Sequence, residues 1–245
     1  MNTMNARDPD SRREHLLATA LAVLDEFGPA EVTTRKLAKH AGMTTMAVYS
    51  EFGSMGGVVR AVVDAGFAEL GRSFASLERT DDPICDMLLV GATYRALALS
   101  RPHLYSVMFG AAELGGYRRT GDELTQGIDT FQVGVDAVAE AMDHGLIKAG
   151  DAFLVTAQLW SALHGQLILE NANMLDITDD PYRNVFLPLM KALIVGLGAR
   201  PDTIATSVAR ALELLPPEHN SRFQRRDTTP SPVALYSPID GDMPR

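Results

Sequence analysis

The sequence predicts an all-α protein: an N-terminal three-helix domain of the helix-turn-helix kind, followed by a larger helical bundle. Three observations predict it. Apolar residues recur at helical spacing along most of the 245 residues, with no sustained period-two alternation. Cap and stop residues fall where that spacing begins and ends. With 46% hydrophobic and 22% charged residues, the chain has the balance of a globular protein large enough to bury a real core.

Leu16, Leu17, Ala20, Leu21, Leu24 and Phe27 share one face of a first helix, which Ser11 caps and Gly28-Pro29 ends. Thr33 caps a short second helix over Thr34 to Ala41, and Gly42 stops it. Thr44 caps a third helix that runs to about Phe52. Ser54 caps a longer helix carrying Val58, Val59, Val62, Val63, Phe67, Leu70 and Phe74, which links the first domain to the rest.

Asp82 and Pro83 open a helix with Ile84, Met87, Leu88, Tyr94 and Ala98, and Pro102 starts a short one that ends near Gly110. The glycine- and charge-rich run "GAAELGGYRRTGDE" reads as an exposed loop free to move. Ile128, Phe131, Val135, Val138 and Met142 mark the next helix, closed by His144-Gly145. Asp151 caps another through about Asn171, Pro181 opens one through about Leu197, and the last runs from Asp202 to about Leu215. The expected divisions are a disordered arm over 1–11, a head over 12–58, a bundle over 59–215 and a disordered tail over 216–245.

Composition narrows the function. A net charge of −9 excludes a protein that coats nucleic acid through bulk charge, so any DNA contact needs a local basic patch. The lone Cys85 excludes an internal disulfide and fits a reducing cytoplasm. The polar first residues lack the apolar run of a secretion signal, and Lys191 and glycines interrupt the apolar segment "FLPLMKALIVGLGA", so no membrane location is expected. His15, His40, His103, His144, His164 and His219 are scattered without metal-ligand pairing. With no P-loop, dinucleotide fingerprint or nucleophile elbow, neither an enzyme nor a cofactor or metal is expected.

The segment "TTRKLAKHAGMTTMAVYSEF" has the internal logic of a helix-turn-helix. Small Ala38 allows a close crossing, Gly42 supplies the positive φ of the turn, and Leu37, Ala41, Met43 and Val48 face inward. Arg35, Lys36 and Lys39 remain outward on the first helix, and Thr45, Met46, Tyr49 and Ser50 on the second. In this motif the second helix enters the major groove while the first crosses the backbone. Hydroxyls and helix N-termini suit phosphates, and the methyl groups of Thr45 or Met46 suit a thymine methyl.

Together with the preceding "LLATALAVLDEFG", the stretch "VTTRKLAKHAGMTTMAVYSEFGSMGGVVRAV" resembles the TetR family of bacterial transcriptional regulators over roughly residues 12 to 65. The family pattern matches at Thr33, Leu37, Ala38, Ala41, Gly42, Thr44, Tyr49 and Phe52. The resemblance implies DNA contacts from Arg35, Thr45, Met46, Tyr49 and Ser50, to which the outward Lys36 and the cap Thr44 are added. Two positions depart from the pattern: Glu51 replaces an aromatic residue or histidine, and Met55-Gly56 replaces a Lys-Glu pair. Phosphate anchoring is then expected to lean on Arg12, Arg13, Arg35 and Lys36.

Further on, "WSALHGQLILE" is similar to the Trp-His-Gly signature of one C-terminal domain type of TetR-like regulators, and "SRPHLYSVMFG" to the short helix preceding it. The expected ligand cavity takes His103, Met108, Phe109, Phe131, Val135, Met142 and Gln158. The expected homodimer interface takes Trp160, His164, Leu167, Val185, Phe186, Leu189 and Leu193, on two broad apolar helices per subunit. The resemblance thus implies a cytoplasmic repressor that binds double-stranded operator DNA and is released by a small hydrophobic effector. The competing reading is a helical-bundle small-molecule-binding protein without specific DNA binding.

Overall fold

The computed structural model describes residues 9–215; the arm and tail expected at the two ends lie outside them, apart from residues 9–11. Among the described residues there is no strand, only one isolated antiparallel bridge between Leu114 and Tyr117. Ten α-helices follow in order: α1 (Pro9–Phe27), α2 (Thr34–His40), α3 (Thr45–Phe52), α4 (Met55–Ala75), α5 (Pro83–Ser100), α6 (Pro102–Met108), α7 (Ile128–Asp143), α8 (Ala152–Asn171), α9 (Leu187–Gly196) and α10 (Pro201–Leu214). Helix α1 begins at Pro9, ahead of the cap expected at Ser11. The helix expected from Pro181 opens as a wide π-helical turn, Tyr182–Phe186, before α9.

The caps act locally. Thr33 Oγ1 accepts from the Lys36 amide at 3.3 Å, Thr44 Oγ1 from Ala47 at 3.3 Å, and Ser54 Oγ from Gly57 at 3.2 Å. Each satisfies one of the donors that a helix start leaves open. Helix α2 closes in a Schellman arrangement: Met43 donates to the Ala38 carbonyl at 2.8 Å and Gly42 to that of Lys39 at 3.2 Å. Gly42 sits at φ 65°, the left-handed turn that an L side chain resists. Leu16, Ala20 and Leu24 of α1 bury themselves with Leu37, Val48, Phe52 and the valines of α4, which fixes the head.

Helix α5 is apolar around its whole circumference and is packed by α4, α6, α7, α8 and α10, as such a helix must be. Its buried Arg95 forms a bidentate ion pair with Glu170 of α8, both side chains 7% exposed, and lies over the Tyr182 ring at 5.0 Å. The pairing offsets a desolvation cost of several kcal/mol per ion.

The segment between α6 and α7 corrects the expectation of a free loop. Leu114 is wholly buried and Arg119 nearly so. Arg119 donates to the carbonyls of Met108 and Glu123 and to Gln126 Oε1. Gly115 donates its amide to Pro29 of the head at 3.1 Å and sits so close to the Val32 carbonyl that a Cβ would lie 2.3 Å from it. Tyr117 covers Gly56, and Met55 touches Gly115. The segment is a strap docked on the head, and the unusual Met55-Gly56 pair forms its seat.

Candidate nucleic-acid interface and ligand cavity

Helix α3 turns Val48 and Phe52 into the head and leaves Thr45, Met46, Tyr49 and Ser50 outward, with Met46 72% and Tyr49 48% exposed. Thr44, at the helix start, is exposed too. Arg35, Lys39 and His40 stand exposed on α2 beside them. The cations expected to anchor phosphates divide into two groups. Arg12 pairs with Glu51 at 2.7 Å, Arg13 donates to the Glu51 carbonyl and lies 4.5 Å over the Phe52 ring, and Lys36 is ion-paired with Glu31.

This corrects two expectations. Arg12, Arg13 and Lys36 are engaged within the head, so among the described residues Arg35 and Lys39 carry exposed positive charge beside α3 without an ion pair. Glu51 is turned inward against Arg12, with its side chain 10% exposed, and is not a free negative charge on the reading face.

The bundle holds a cavity of about 490 Å³ that opens to the surface. Phe67, Leu70 and Phe74 of α4, Met87 and Tyr94 of α5, Phe109, the stretch Thr125 to Ile128, Phe131 of α7, Phe153 and Trp160 of α8, and Phe186 form its walls. The volume and the mostly apolar lining are those of a small-molecule site. Ile128 and Phe153 are both lining and exposed, so they mark the mouth.

Of the residues expected here from sequence, the structure brings Phe109 and Phe131 to the wall. It does not bring the other five. His103 is exposed and packs 3.6 Å from the Cβ position of Gly28, against the head. Met108 is buried against Gly66, Val135 is buried and Met142 packs against the core without lining the cavity, and Gln158 lies exposed on α8.

The residues expected at a dimer interface also divide. Trp160 and Phe186 line the cavity, and Leu167 is wholly buried within the chain. Val185, Leu189 and Leu193 are half-buried. His164 joins a polar cluster behind the wall: the Trp160 indole donates to the Tyr94 hydroxyl at 3.1 Å, and that hydroxyl lies 3.2 Å from Tyr105 Oη and 3.3 Å from His164 Nδ1. Tyr105 Oη also meets His164 Nδ1.

Burial pushes the Tyr94 hydroxyl up to about 12 and that of Tyr105 up further, so both stay protonated. Burial lowers His164, so its ring is neutral near pH 7. Hydrogen bonds then run from Trp160 to Tyr94, from Tyr94 to Tyr105 and from Tyr105 to the lone pair of His164 Nδ1, which leaves the imidazole proton on Nε2.

Sequence reasoning missed Phe67, Phe74, Met87, Tyr94 and Phe153 as wall residues. Their helical spacing is the same whether they fill a core or line a hole, so no local signal separates the two.

Residues 16–62 match the sequence profile of bacterial regulatory proteins of the tetR family. Residues 87–193 match that of the tetracyclin repressor-like C-terminal domain. An uncharacterized HTH-type transcriptional regulator of Mycobacterium tuberculosis, Rv0681, is 29% identical over 199 residues, which span 80% of this chain and 85% of the relative.

Among solved structures, RolR in complex with resorcinol superposes with a TM-score of 0.61 at 16% identity, over 86% of this chain and 98% of that one. A tetR-family transcriptional regulator from Streptomyces coelicolor gives 0.60 at 19% identity, over 91% and 94%. A gamma-butyrolactone receptor described as ArpA-like gives 0.58 at 16% identity, over 84% and 97%. At these identities the structural likenesses establish the fold. Fold and reading head together define a helix-turn-helix transcriptional regulator. With both profiles matched in order along its length, the chain belongs to the TetR family.

Proposed function

We propose that the protein is a repressor that binds a pseudo-palindromic operator as a homodimer and leaves it when a small hydrophobic molecule fills the bundle cavity. The observation that carries the DNA reading is the exposed row Thr45, Met46, Tyr49 and Ser50 on α3, whose side chains the fold leaves without an inward role. Arg35 and Lys39 lie beside it on α2 to meet phosphates, and the start of α3 offers backbone amides and the Thr44 and Thr45 hydroxyls. Lys36, paired with Glu31, contributes less.

Support for a dimer comes from α8. This helix has a mean hydropathy of 1.3, yet only 22% of its apolar stretch is buried. Leu154, Gln158, Ser161, Gly165 and Ile168, spaced four, three, four and three residues apart, form one exposed face. Gly165 and, on α9, Gly196 have nothing within 4 Å of a Cβ position, so packing inside the chain gives no reason for glycine there. A mid-helix glycine costs roughly 0.5–1 kcal/mol relative to alanine. Close approach of a second α8–α9 pair supplies the reason, in a four-helix interface. This face replaces the inward Trp160, His164, Leu167 and Phe186 as the contact surface.

Release follows from shared walls. Helix α4 carries Phe67 at the cavity and Ser54 at the head, so it acts as a lever from Ser54 to Ala75. Arg101, at the start of α6, bridges Asp25 of α1 and Glu69 of α4. A ligand that displaces Phe67, Phe109 or Gln126 shifts the mounting of the head and changes the spacing of the two reading helices.

The test is selection of bound fragments from the genome that encodes the protein, using the purified full chain. A symmetric motif with half-sites one helical turn apart, or a multiple of it, supports the reading. No enrichment over random fragments would instead favour a ligand-binding bundle without specific DNA binding.

A further inference from the structure

The chemistry of the cavity wall restricts what it can hold. Among the described residues that line it there is no Asp, Glu, Lys, Arg or His. Its side-chain hydrogens are largely committed as well. Thr125, Thr130 and Thr156 each turn the hydroxyl hydrogen to a backbone carbonyl of their own segment, at 2.6, 2.6 and 2.7 Å. Trp160 spends its indole hydrogen on Tyr94, which passes its own to the cluster around His164. The Gln126 amide donates to Asp64 and accepts from Arg119.

A carboxylate entering this space therefore sheds its water without meeting a guanidinium, an ammonium or a free hydroxyl. The start of α7 has no side-chain cap, but Asp129 stands in that first turn and repels an anion. A cation meets rings but no carboxylate in the wall to neutralise it.

Aromatic rings share the remainder of the wall with aliphatic side chains such as Leu70, Leu88, Val138 and Leu163. Phe131 meets Phe153 edge to face at 5.1 Å and Trp160 at 6.2 Å, while Phe67 meets Phe109 at 5.7 Å. The ring faces left over by such pairs suit a flat aromatic guest better than a saturated one of equal size.

We propose that the cavity selects a neutral aromatic molecule and rejects anions and cations built on the same skeleton. The proposal rests on the reading of the cavity as the effector site.

Equilibrium dialysis of the full chain near pH 7 against four probes of one skeleton tests it: 2-naphthol, decahydro-2-naphthol, 2-naphthoate and 2-naphthylmethylammonium. The expected order has 2-naphthol tightest, its saturated counterpart about fivefold weaker, and both ions at least about a hundredfold weaker. Either ion binding within about tenfold of 2-naphthol overturns the charge rule, and equal binding of the saturated alcohol overturns the aromatic one.

Ala157→Trp fills the cavity from α8 and is expected to abolish 2-naphthol binding while far-UV circular dichroism stays that of the wild type. Undiminished binding by this variant puts the probe elsewhere and overturns the proposal. If none of the four probes binds, the effector-site reading itself falls, a result distinct from failure of the charge rule.

Discussion

Gln126 donates its side-chain amide to the Asp64 carboxylate across 2.7 Å. One residue lies in the cavity wall and the other on α4, so the bond ties the wall to the helix that leads to the head. The same Gln126 accepts from Arg119, whose strap reaches Pro29 and Gly56 on the head. Two connections therefore run from the cavity to the head: α4 itself and the strap beside it.

Asp64→Ala removes the acceptor and leaves the strap held by Arg119, by the burial of Leu114 and by the contacts of Gly115 and Tyr117 with the head. Amide hydrogen exchange over residues 114–119 is expected to quicken by about fivefold, the effect of losing one exposed charge-assisted bond. Exchange in α5 should not change. Wild-type protection of the strap in Asp64→Ala would show that the bond does not hold it.

Arg35 and Lys36 are neighbours in sequence with different surroundings, since among the described residues only Lys36 of the two has a carboxylate partner. On an operator fragment, Arg35→Ala is expected to weaken binding and to lower the slope of log affinity against log salt by about one. Lys36→Ala should change that slope by much less. Fluorescence anisotropy titrations across a salt series check both, and equal slopes for the two variants would contradict the division of charge described here.

The proposed dimer face predicts opposite results for two adjacent residues of α8. Ile168 is 50% exposed and Leu167 is wholly buried. Ile168→Asp is expected to yield folded monomers by light scattering with little change in secondary structure. Leu167→Ala should leave assembly intact but destabilise the fold by about 2–5 kcal/mol, the usual result of emptying a packed site. A dimeric Ile168→Asp protein would remove α8 from the interface.

Burial holds His164 below the ordinary imidazole value of 6.5. The unfolded chain takes up a proton there as pH falls through that value while the folded chain resists, so stability is lost on the acid side. The melting temperature should therefore fall from about pH 7.5 to about pH 5.5 more in the wild type than in His164→Gln, which retains an acceptor for Tyr105 but does not titrate. An equal fall in both proteins would mean that His164 titrates normally in the fold.

The parts of this structure visible in the sequence are those set by neighbours within a few residues. Thr33, Thr44 and Ser54 cap their helices because side chain and amide lie three positions apart, and Gly42 announces its turn through its own φ. The outward row on α3 follows from the same helical period that turns Val48 and Phe52 inward.

What depends on distant partners was not legible. Trp160 and His164 face inward because Tyr94 and Tyr105 wait for them, 66 and 59 residues back along the chain. Phe186 is a wall and not a contact surface for the same kind of reason. The strap reads as a loop from its glycines, and only its seat on Pro29, Val32 and Gly56 makes it ordered structure. Glu51, odd beside a DNA face, is explained once Arg12 is seen to hold it.

The proposal assigns DNA recognition to α3, whose most exposed aromatic residue is Tyr49. The most direct measurement is titration, at fixed salt, of a genomic fragment enriched by the wild-type protein with the wild type and with Tyr49→Ala. The wild type should bind as two subunits per symmetric site, whereas Tyr49→Ala, with an unchanged melting temperature, should lose that binding. Undiminished binding by the folded variant would contradict the placement of DNA on this helix.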